Sequence, residues 1–155
     1  MDDIILRPAE AADRAFIMKM SPVLAGVAKL PWLDKGTVQA FQDRYIETVL
    51  ADQSGGATTL IAEKGGDALG FIHFCRSEDE ISREACGYVH LLAVTPEAQG
   101  LGIGRKLVAE AEAWSKAQGL RLLKLDVFAN NANGRGFYEE LGFSPETIVM
   151  TKPLS

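Results

Sequence analysis

A glycine-rich loop between residues 99 and 105 carries the clearest chemical signal in this sequence of 155 residues. It reads Gln99-Gly100-Leu101-Gly102-Ile103-Gly104-Arg105 and follows an apolar run from Val89 to Val94. Glycines let backbone amides approach a phosphate without an intervening side chain. A helical pattern begins at Arg105, and the first turn of a helix offers free N–H groups and the positive end of the dipole. The loop is therefore predicted to bind a phosphate-containing ligand.

Three kinds of glycine loop can be compared with these residues. A Walker loop requires Gly-Lys-Ser/Thr, but Gly104 is followed by Arg105-Lys106-Leu107. A dinucleotide-binding loop fits better at Gly100 and Gly102, although its third glycine falls on Arg105. Asp126, near the end of the next predicted strand, could then bind a ribose, so this alternative stays open. A simple glycine turn needs fewer glycines than are present.

Two segments of the sequence resemble the signatures of one enzyme family. Gln99-x-x-Gly102-x-Gly104, after Leu92-Ala93-Val94, resembles the acetyl-CoA signature of the GNAT superfamily of N-acetyltransferases. Asn131-x-x-Gly134-x-x-Phe137-Tyr138-Glu139-x-Leu141-Gly142-Phe143 resembles its second signature. Gln99 replaces the family's common arginine, and Gly134 replaces its usual alanine. The resemblance is specific from Ile61 to Phe143.

The resemblance implies a fold and a reaction. The fold is an α/β (α+β) arrangement with a mixed, mostly antiparallel central sheet of six to seven strands and about four helices. Two central strands splay apart to admit CoA. Residues 1–155 form a single N-acetyltransferase domain, which moves an acetyl group from acetyl-CoA to a primary amine, in the first instance a small molecule, by direct attack in a ternary complex.

The resemblance also implies which residues bind acetyl-CoA. The backbone of the central strand pairs with the pantetheine arm, and the amides of the glycine loop bind the pyrophosphate. Asn131 contacts the cofactor, although an asparagine at this position could equally cap a helix. The implied set is Leu92, Ala93, Val94, Gln99, Gly100, Leu101, Gly102, Ile103, Gly104, Arg105 and Asn131.

Tyr138 and His90 are the predicted catalytic residues. Tyr138 resembles the family's general acid, which protonates the departing CoA thiolate. His90 is the candidate for removing the amine proton, because a neutral imidazole suits this task. Its alternation along the strand predicts that it faces the same side as Tyr88, Leu92 and Val94. A polar patch without a catalytic role is the alternative for His90, with Glu84 and Tyr88 as other candidate bases.

The acceptor site is less well defined by the sequence. In GNAT proteins, the helical region that corresponds to Pro22–Leu50 walls the acceptor pocket. Trp32 and Asp34 are therefore candidate substrate-binding residues, although an aromatic residue beside a proline can also serve only for packing. Tyr88, on the central strand, is the third candidate substrate-binding residue. Alternative functions are acetylation of a protein N-terminus or lysine, a non-catalytic acyl-CoA sensor, and a nucleotide-dependent oxidoreductase.

Composition limits the partners that this chain would have. A net charge of −5 argues against binding nucleic acid through bulk electrostatics. No apolar stretch is long enough to span a bilayer, and the acidic start is unlike a signal peptide. Two cysteines indicate the reducing cytoplasm. A metal site built from His73, Cys75, Cys86 and His90 lacks the usual zinc spacing, so no metal is expected. A homodimer could form through Thr147–Leu154.

Periodicity predicts the elements that position these residues. The predicted helices are Ala9–Met20, Gly36–Ala51, Arg105–Lys116 and Asn131–Leu141. Beside the central strand that ends at Val94, the predicted strands are Ile4–Leu6, Thr58–Ala62, Ala68–Cys75, Leu120–Phe128 and Ile148–Lys152. Glu63–Asp67 is predicted to form a hairpin turn.

Overall fold

The fold is given by a computed structural model that describes residues 3–155; Met1 and Asp2, which begin the acidic start, lie outside the described residues. The strands are β1 (Ile5–Pro8), β2 (Thr58–Lys64), β3 (Asp67–Glu78), β4 (Ala85–Val94) and β5 (Leu123–Leu125). They form one sheet in sequence order, with three antiparallel pairs and a parallel β4–β5 pair. This confirms the predicted mixed, mostly antiparallel sheet.

The helices are α1 (Arg14–Lys19), α2 (Ser21–Gly26), α3 (Lys35–Ala51), α4 (Ile103–Ala117) and α5 (Ala132–Glu140). Helix α2 begins at Ser21, and Pro22 in its first turn does not end the helical region, because a proline at this position removes no hydrogen bond. The predicted helix Ala9–Met20 forms as a 3-10 turn, Ala11–Asp13, followed by α1. Within residues 3–155, none of the helices combines the length and the apolar character needed to cross a bilayer.

Two apolar clusters hold the helices against opposite faces of the sheet. The cluster beneath α4 contains Ile103, Leu107 and Ala111 of the helix with Ala62, Ile72, Phe74 and Val89 of the strands. The cluster on the other face contains Ile17, Met20 and Ile46 of the helical region with Ile61, Phe71, Leu91 and Ala93 of the strands. The sheet is therefore the middle layer of three, which explains why its central strands are largely apolar.

A β-bulge interrupts β4 at His90. Leu91 lies opposite His73 and Val89 lies opposite Phe74, so His90 is an extra residue on its strand. A bulge of this kind bends the strand and changes which face the following side chains occupy. His90 and the next residue, Leu91, therefore point towards the same layer of helices.

The bulge overturns part of the predicted alternation along β4. Leu92 and Val94 pack in the cluster beneath α4. His90 instead contacts Tyr45 of α3 on the opposite face, near Tyr88. The prediction that His90 shares a face with Tyr88 is confirmed, whereas its grouping with Leu92 and Val94 is wrong because the extra residue shifts the alternation by one position.

The C-terminal part of the sheet is smaller than predicted. Strand β5 has three residues instead of the predicted Leu120–Phe128, and the sheet within residues 3–155 has five strands instead of six to seven. The predicted strand Ile148–Lys152 does not form. Ile148 is 65% exposed and Met150 is 90% exposed. A strand needs a neighbouring edge to pair with, and the short β5 provides little.

Candidate active site

The glycine loop leads into α4 with a backbone conformation that favours glycine. Gly100 has a φ of 87° and Gly102 a φ of 80°, both in the left-handed region. Helix α4 begins at Ile103, two residues before the predicted start, with Gly102 as its N-cap. A Cβ atom built on Gly100 or Gly102 would meet no heavy atom within 4 Å. The loop is thus an open cradle at a helix N-terminus, a geometry that fits a phosphate group.

Gly104 lets two helices approach each other closely. A Cβ atom at this position would lie 3.1 Å from Cζ of Phe137 in α5. Because Tyr138 follows Phe137, this contact holds the helix of the predicted acid beside the glycine loop. Ile103 is 1% exposed, so only its backbone can reach a ligand. The side chains of Gln99, Leu101 and Arg105 are exposed.

The edge of β4 beyond the bulge is open on the side of β5. The two strands pair only from Gly87 with Leu123 to Val89 with Leu125. On the other side of β4, the Thr95 N–H donates to the Leu69 carbonyl at 2.8 Å. Backbone groups alternate in direction along an antiparallel strand. The N–H and C=O groups of Leu92 and Val94 therefore face the open edge, where an amide-containing chain could pair with them.

Tyr138 lies among aromatic rings at the C-terminal half of α5. Its ring centroid is 5.2 Å from that of Phe137 and 5.7 Å from that of Phe143. Burial raises the pKa of the Tyr138 hydroxyl to about 12. Within the described residues, the hydrogen bonds include none to this hydroxyl, which is therefore free to donate to a ligand.

His90 lies in a group of aromatic and imidazole side chains on the α3 face of the sheet. Its Nδ1 atom is 3.1 Å from the Tyr45 hydroxyl. Its ring centroid is 4.8 Å from that of Tyr88 and 6.3 Å from that of His73. His73 is itself buried, with Nδ1 2.7 Å from the Thr59 hydroxyl. The structure thus brings two of the predicted residues, His90 and Tyr88, into direct contact.

Burial controls the protonation of the side chains around His90. Loss of hydration lowers the pKa of His90 below its usual value, and the carboxylates of Asp126 and Asp52 partly oppose this effect. Burial also raises the pKa of the Tyr45 hydroxyl. At neutral pH, the His90 imidazole is therefore neutral and Tyr45 is protonated. A neutral imidazole can accept a proton, as the predicted role of His90 requires.

Asp126 belongs to the site although sequence reasoning considered it only for the dinucleotide alternative. It follows β5 directly, and the Tyr88 hydroxyl donates a hydrogen bond to its Oδ2 atom. Burial, followed by this bond, raises the pKa of Tyr88. The only signal in the sequence is its position at the end of a strand next to the central strand.

The loop before α3 reaches the same end of the sheet. Asn130, after β5, donates from its side-chain amide to the Lys29 carbonyl at 3.0 Å. Trp32 in this loop is 39% exposed. Asp34 caps α3 by accepting from the Thr37 N–H at 2.7 Å, and this bond lowers the pKa of its carboxyl group. Substrate contacts by Trp32 and Asp34 stay predictions, and for Asp34 the cap is the observed role.

Asn131 is the N-cap of α5. Its Oδ1 atom accepts from the Gly134 N–H at 3.0 Å. A Cβ atom on Gly134 would lie 2.3 Å from the Asn131 amide nitrogen. Glycine in place of the family's alanine therefore leaves room for this orientation of the asparagine. A contact between Asn131 and the cofactor stays a prediction.

The remaining candidate residues lie away from the group of side chains around His90. Glu84, an alternative base, pairs with Arg121 at 2.6 Å near the start of β4. Cys86 lies opposite Ser77 and Cys75 lies opposite Tyr88, so the two thiols are not paired across the strands. Among the described residues, no group of three or more His, Cys, Asp or Glu side chains could hold a metal ion.

The chain matches a known family over most of its length. Residues 22–143 match the family model described as the acetyltransferase (GNAT) family. A mycothiol acetyltransferase of Paenarthrobacter aurescens is 38% identical over 106 residues, which cover 67% of this chain and 32% of that protein. An uncharacterized N-acetyltransferase of Methanocaldococcus jannaschii is 30% identical over 91 residues, covering 58% and 40% of the two chains. The matches thus span well under half of these relatives.

Solved structures share the fold over the whole chain. A GCN5-related N-acetyltransferase from Ralstonia eutropha has a TM-score of 0.77 at 26% identity, covering 98% of this chain and 99% of that one. The aminoglycoside N-acetyltransferase AAC(6')-Iy in complex with CoA has a TM-score of 0.71 at 17% identity, covering 99% and 96%. The second likeness shows the fold alone.

This chain belongs to the acetyltransferase (GNAT) family. The membership confirms the resemblance seen in its two signatures and the class of acyltransferase enzymes that they indicated. A doubly wound parallel sheet, which the dinucleotide alternative requires, is absent from residues 3–155.

Proposed function

We propose that this protein is an N-acetyltransferase that moves an acetyl group from acetyl-CoA to a primary amine, with a small molecule as the acceptor. The observation that carries this proposal is the open edge of β4 beyond the Val89–Leu125 pair, which leads from the glycine cradle to His90. An extended, amide-containing chain with a phosphate at one end fits this path.

The chain's own groups would hold acetyl-CoA in two parts. The backbone amides from Gln99 to Arg105 would bind the pyrophosphate at the open cradle, and the Arg105 side chain is exposed beside it. The outward peptide groups of Leu92 and Val94 would pair with the pantetheine amides, and Asn131 would contact the cofactor next to α5. When bound, acetyl-CoA supplies a thioester whose carbon forms a bond to the amine nitrogen as the C–S bond breaks.

His90 would accept the proton that the ammonium group of the acceptor must lose before its nitrogen can attack the thioester. A base is needed because an amine with a pKa of about 10.4 is neutral in only about one molecule in 10³ at neutral pH. The role requires the tautomer in which Nδ1–H donates to the Tyr45 oxygen, because Nε2 of His90 is then left free to accept. His90 would then release this proton to solvent. The second proton, which the nitrogen loses as the amide forms, would replace through solvent the one that Tyr138 gives to the thiolate, so that no net charge accumulates on the protein.

Tyr138 would give its hydroxyl proton to the departing thiolate. A pKa of about 12 keeps the hydroxyl protonated throughout the working range of pH. Transfer to a thiolate with a pKa of about 8.5 is then uphill by about 5 kcal/mol. The same apolar surroundings raise the pKa of a buried thiol, which reduces this difference.

The acceptor would lie on the α3 face, between the loop that carries Trp32 and Asp34 and the side chains of Tyr88 and His90. The names of two similar proteins, a mycothiol acetyltransferase and an aminoglycoside N-acetyltransferase, favour a small-molecule acceptor over a protein N-terminus or lysine. The alternative without catalysis is an acyl-CoA sensor, which would bind acetyl-CoA and release no thiol with any amine.

The exposed apolar segment Thr147–Leu154 would pair with a second copy of this chain and form a homodimer, and the protein would act in the cytoplasm. Val149 and Met150 are each 90% exposed. Replacing both with lysine should convert a dimer to a monomer in sedimentation experiments, and an unchanged mass would contradict this pairing.

Thermal unfolding with acetyl-CoA, CoA, NAD and ATP, followed by a thiol-release screen over amines, tests the proposal. A ligand at a hundred times its dissociation constant stabilises the native state by about 2.7 kcal/mol. We expect acetyl-CoA and CoA to raise the midpoint and NAD to leave it unchanged. Stabilisation by NAD without acetyl-CoA would contradict the assignment of the glycine loop, and binding without thiol release would indicate the sensor.

A further inference from the structure

Asp126 lies at the point where the two central strands part. Val89 and Leu125 form the last pair between β4 and β5. The next residue on β4 is His90 and the next on β5 is Asp126. These two residues therefore flank the entrance to the opening between the strands, although they belong to different elements.

The Asp126 carboxylate is held in place and still available. One oxygen, Oδ2, accepts the hydrogen bond from the Tyr88 hydroxyl, and the residue is exposed. Within the described residues, no lysine, arginine or histidine forms an ion pair with it. Lys124, two residues earlier, pairs instead with Asp79 at 2.5 Å and Glu146 at 2.9 Å. The second carboxylate oxygen of Asp126 therefore has no cationic partner among the described residues and is available to a ligand.

Aromatic rings line the approach to this carboxylate. Phe41 and Tyr45 of α3 are stacked with centroids 5.9 Å apart, and Phe41 is 46% exposed. The His90 ring lies between Tyr45 and Tyr88 and connects this pair to the Tyr88 ring. Ring faces attract cations, and a carboxylate at the end of an aromatic surface is a common way of binding an ammonium group.

The Tyr88 side chain contacts both the carboxylate and the imidazole. Its ring centroid lies 4.8 Å from that of His90, and its hydroxyl reaches Asp126. The nitrogen that attacks the thioester must be uncharged, because a protonated amine has no free electron pair. A positive charge that stays bound at Asp126 during the reaction therefore belongs to a second group of the acceptor.

We propose that Asp126, oriented by Tyr88, binds a second cationic group of the acceptor while the reacting amine lies beside His90. The preferred acceptor class is thus a small molecule with two amino groups. This inference rests on the proposed N-acetyltransferase activity and assigns the group that selects among amines.

A pair of matched acceptors tests this inference. A straight-chain diamine and the monoamine of equal chain length are compared as acceptors for the wild type and for Asp126→Asn. The asparagine keeps an oxygen for the Tyr88 hydroxyl and removes only the charge. We expect the wild type to have a lower KM for the diamine and the variant to raise that KM about tenfold. The variant should change KM for the monoamine less than KM for the diamine, because the monoamine has no second charge to lose contact with Asp126, whereas any effect of Asp126 on His90 is shared by both acceptors.

Glu78→Gln is the matched control, because it also removes one negative charge from an exposed position, where Glu78 pairs with Arg83. It should leave the preference for the diamine unchanged. The proposal is overturned if the wild type has no preference, if Asp126→Asn keeps the preference, or if Glu78→Gln loses it equally.

A binding experiment distinguishes a failure of this inference from a failure of the proposed reaction. If acetyl-CoA raises the unfolding midpoint but neither amine releases thiol, the proposed activity fails. Unfolding with each amine then still tests the anchor. Stabilisation by the diamine that disappears in Asp126→Asn supports the site, and equal stabilisation of both proteins overturns it.

Discussion

The Tyr45 hydroxyl lies 3.1 Å from Nδ1 of His90, and this contact joins α3 to the bulge in β4. Because an imidazole has two different nitrogens, the hydrogen bond that Nδ1 makes decides whether Nε2 is free to accept a proton. In the proposed reaction, Tyr45 is therefore a positioning residue for His90. The groups that face His90 from the surrounding elements are Tyr45, Asp52, His73, Tyr88 and Asp126.

Tyr45→Phe should lower kcat about tenfold, because it removes the acceptor that holds Nδ1–H and frees the ring to adopt the other tautomer. In the wild type, this bond also stabilises the charged imidazole. Its loss should lower the pKa of His90, so the acid limb of the kcat profile should move to lower pH. Steady-state kinetics between pH 5 and about 9 would measure both effects. An unchanged profile and an unchanged kcat would show that Tyr45 does not position a catalytic base at His90.

Tyr138→Phe should lower kcat about a hundredfold while the dissociation constant of acetyl-CoA changes little. The proposed role of the hydroxyl is to protonate the departing thiolate, and phenylalanine keeps the ring packing. Since burial raises the pKa of Tyr138 to about 12, the wild type should show no loss of rate from this residue up to about pH 10. Single-turnover kinetics with calorimetric binding would separate the two quantities. Full activity of the variant would exclude Tyr138 as the acid.

Gly102→Trp should weaken acetyl-CoA binding by more than tenfold, because the side chain would fill the open cradle at the start of α4. Gly119→Trp is a matched control. Gly102 and Gly119 have φ values of 80° and 74°, and neither has a neighbouring atom where its Cβ would be. Both variants should therefore lose similar stability from backbone strain, about 1–2 kcal/mol. Equal loss of binding in the two variants, measured by calorimetry, would argue against a ligand at the loop.

The buried His73 should make the protein less stable in acid. Burial lowers the pKa of His73 from 6.5 to about 4. The unfolded chain therefore binds a proton that the folded protein does not, so stability is complete above pH 6.5 and falls as the pH drops towards 4. The loss should be about 2 kcal/mol. Urea unfolding at several pH values would measure it.

His73→Gln is the control for this dependence, because glutamine keeps a hydrogen-bonding group near the Thr59 hydroxyl and does not titrate. The variant should lose stability less steeply between pH 6.5 and 4. The same slope in both proteins would mean that other groups cause the acid sensitivity.

Local sequence was sufficient for much of the fold and for the glycine loop. The turn at Gly65-Gly66 has φ values of 58° and 85°, as a tight hairpin between two apolar strands requires. Gly100 and Gly102 likewise need a left-handed backbone that only glycine adopts at low cost. Helix α4 follows from apolar residues at helical spacing, because one stripe of the helix must be buried. These features depend on residues that are close in the chain.

The composition of the candidate site depended on contacts between distant residues. The bulge at His90 shifts the alternation of β4 and turns the imidazole towards α3, which no local pattern revealed. Tyr45 and Asp126 lie 45 and 36 positions from His90 in the chain, and only the packing of α3 and the register of β5 bring them near it. The length of β5 and the absence of a sixth strand from residues 3–155 also depended on which edges could pair. A sequence pattern specifies what a side chain can do, whereas the register of the strands and the packing of the layers decide which side chains meet.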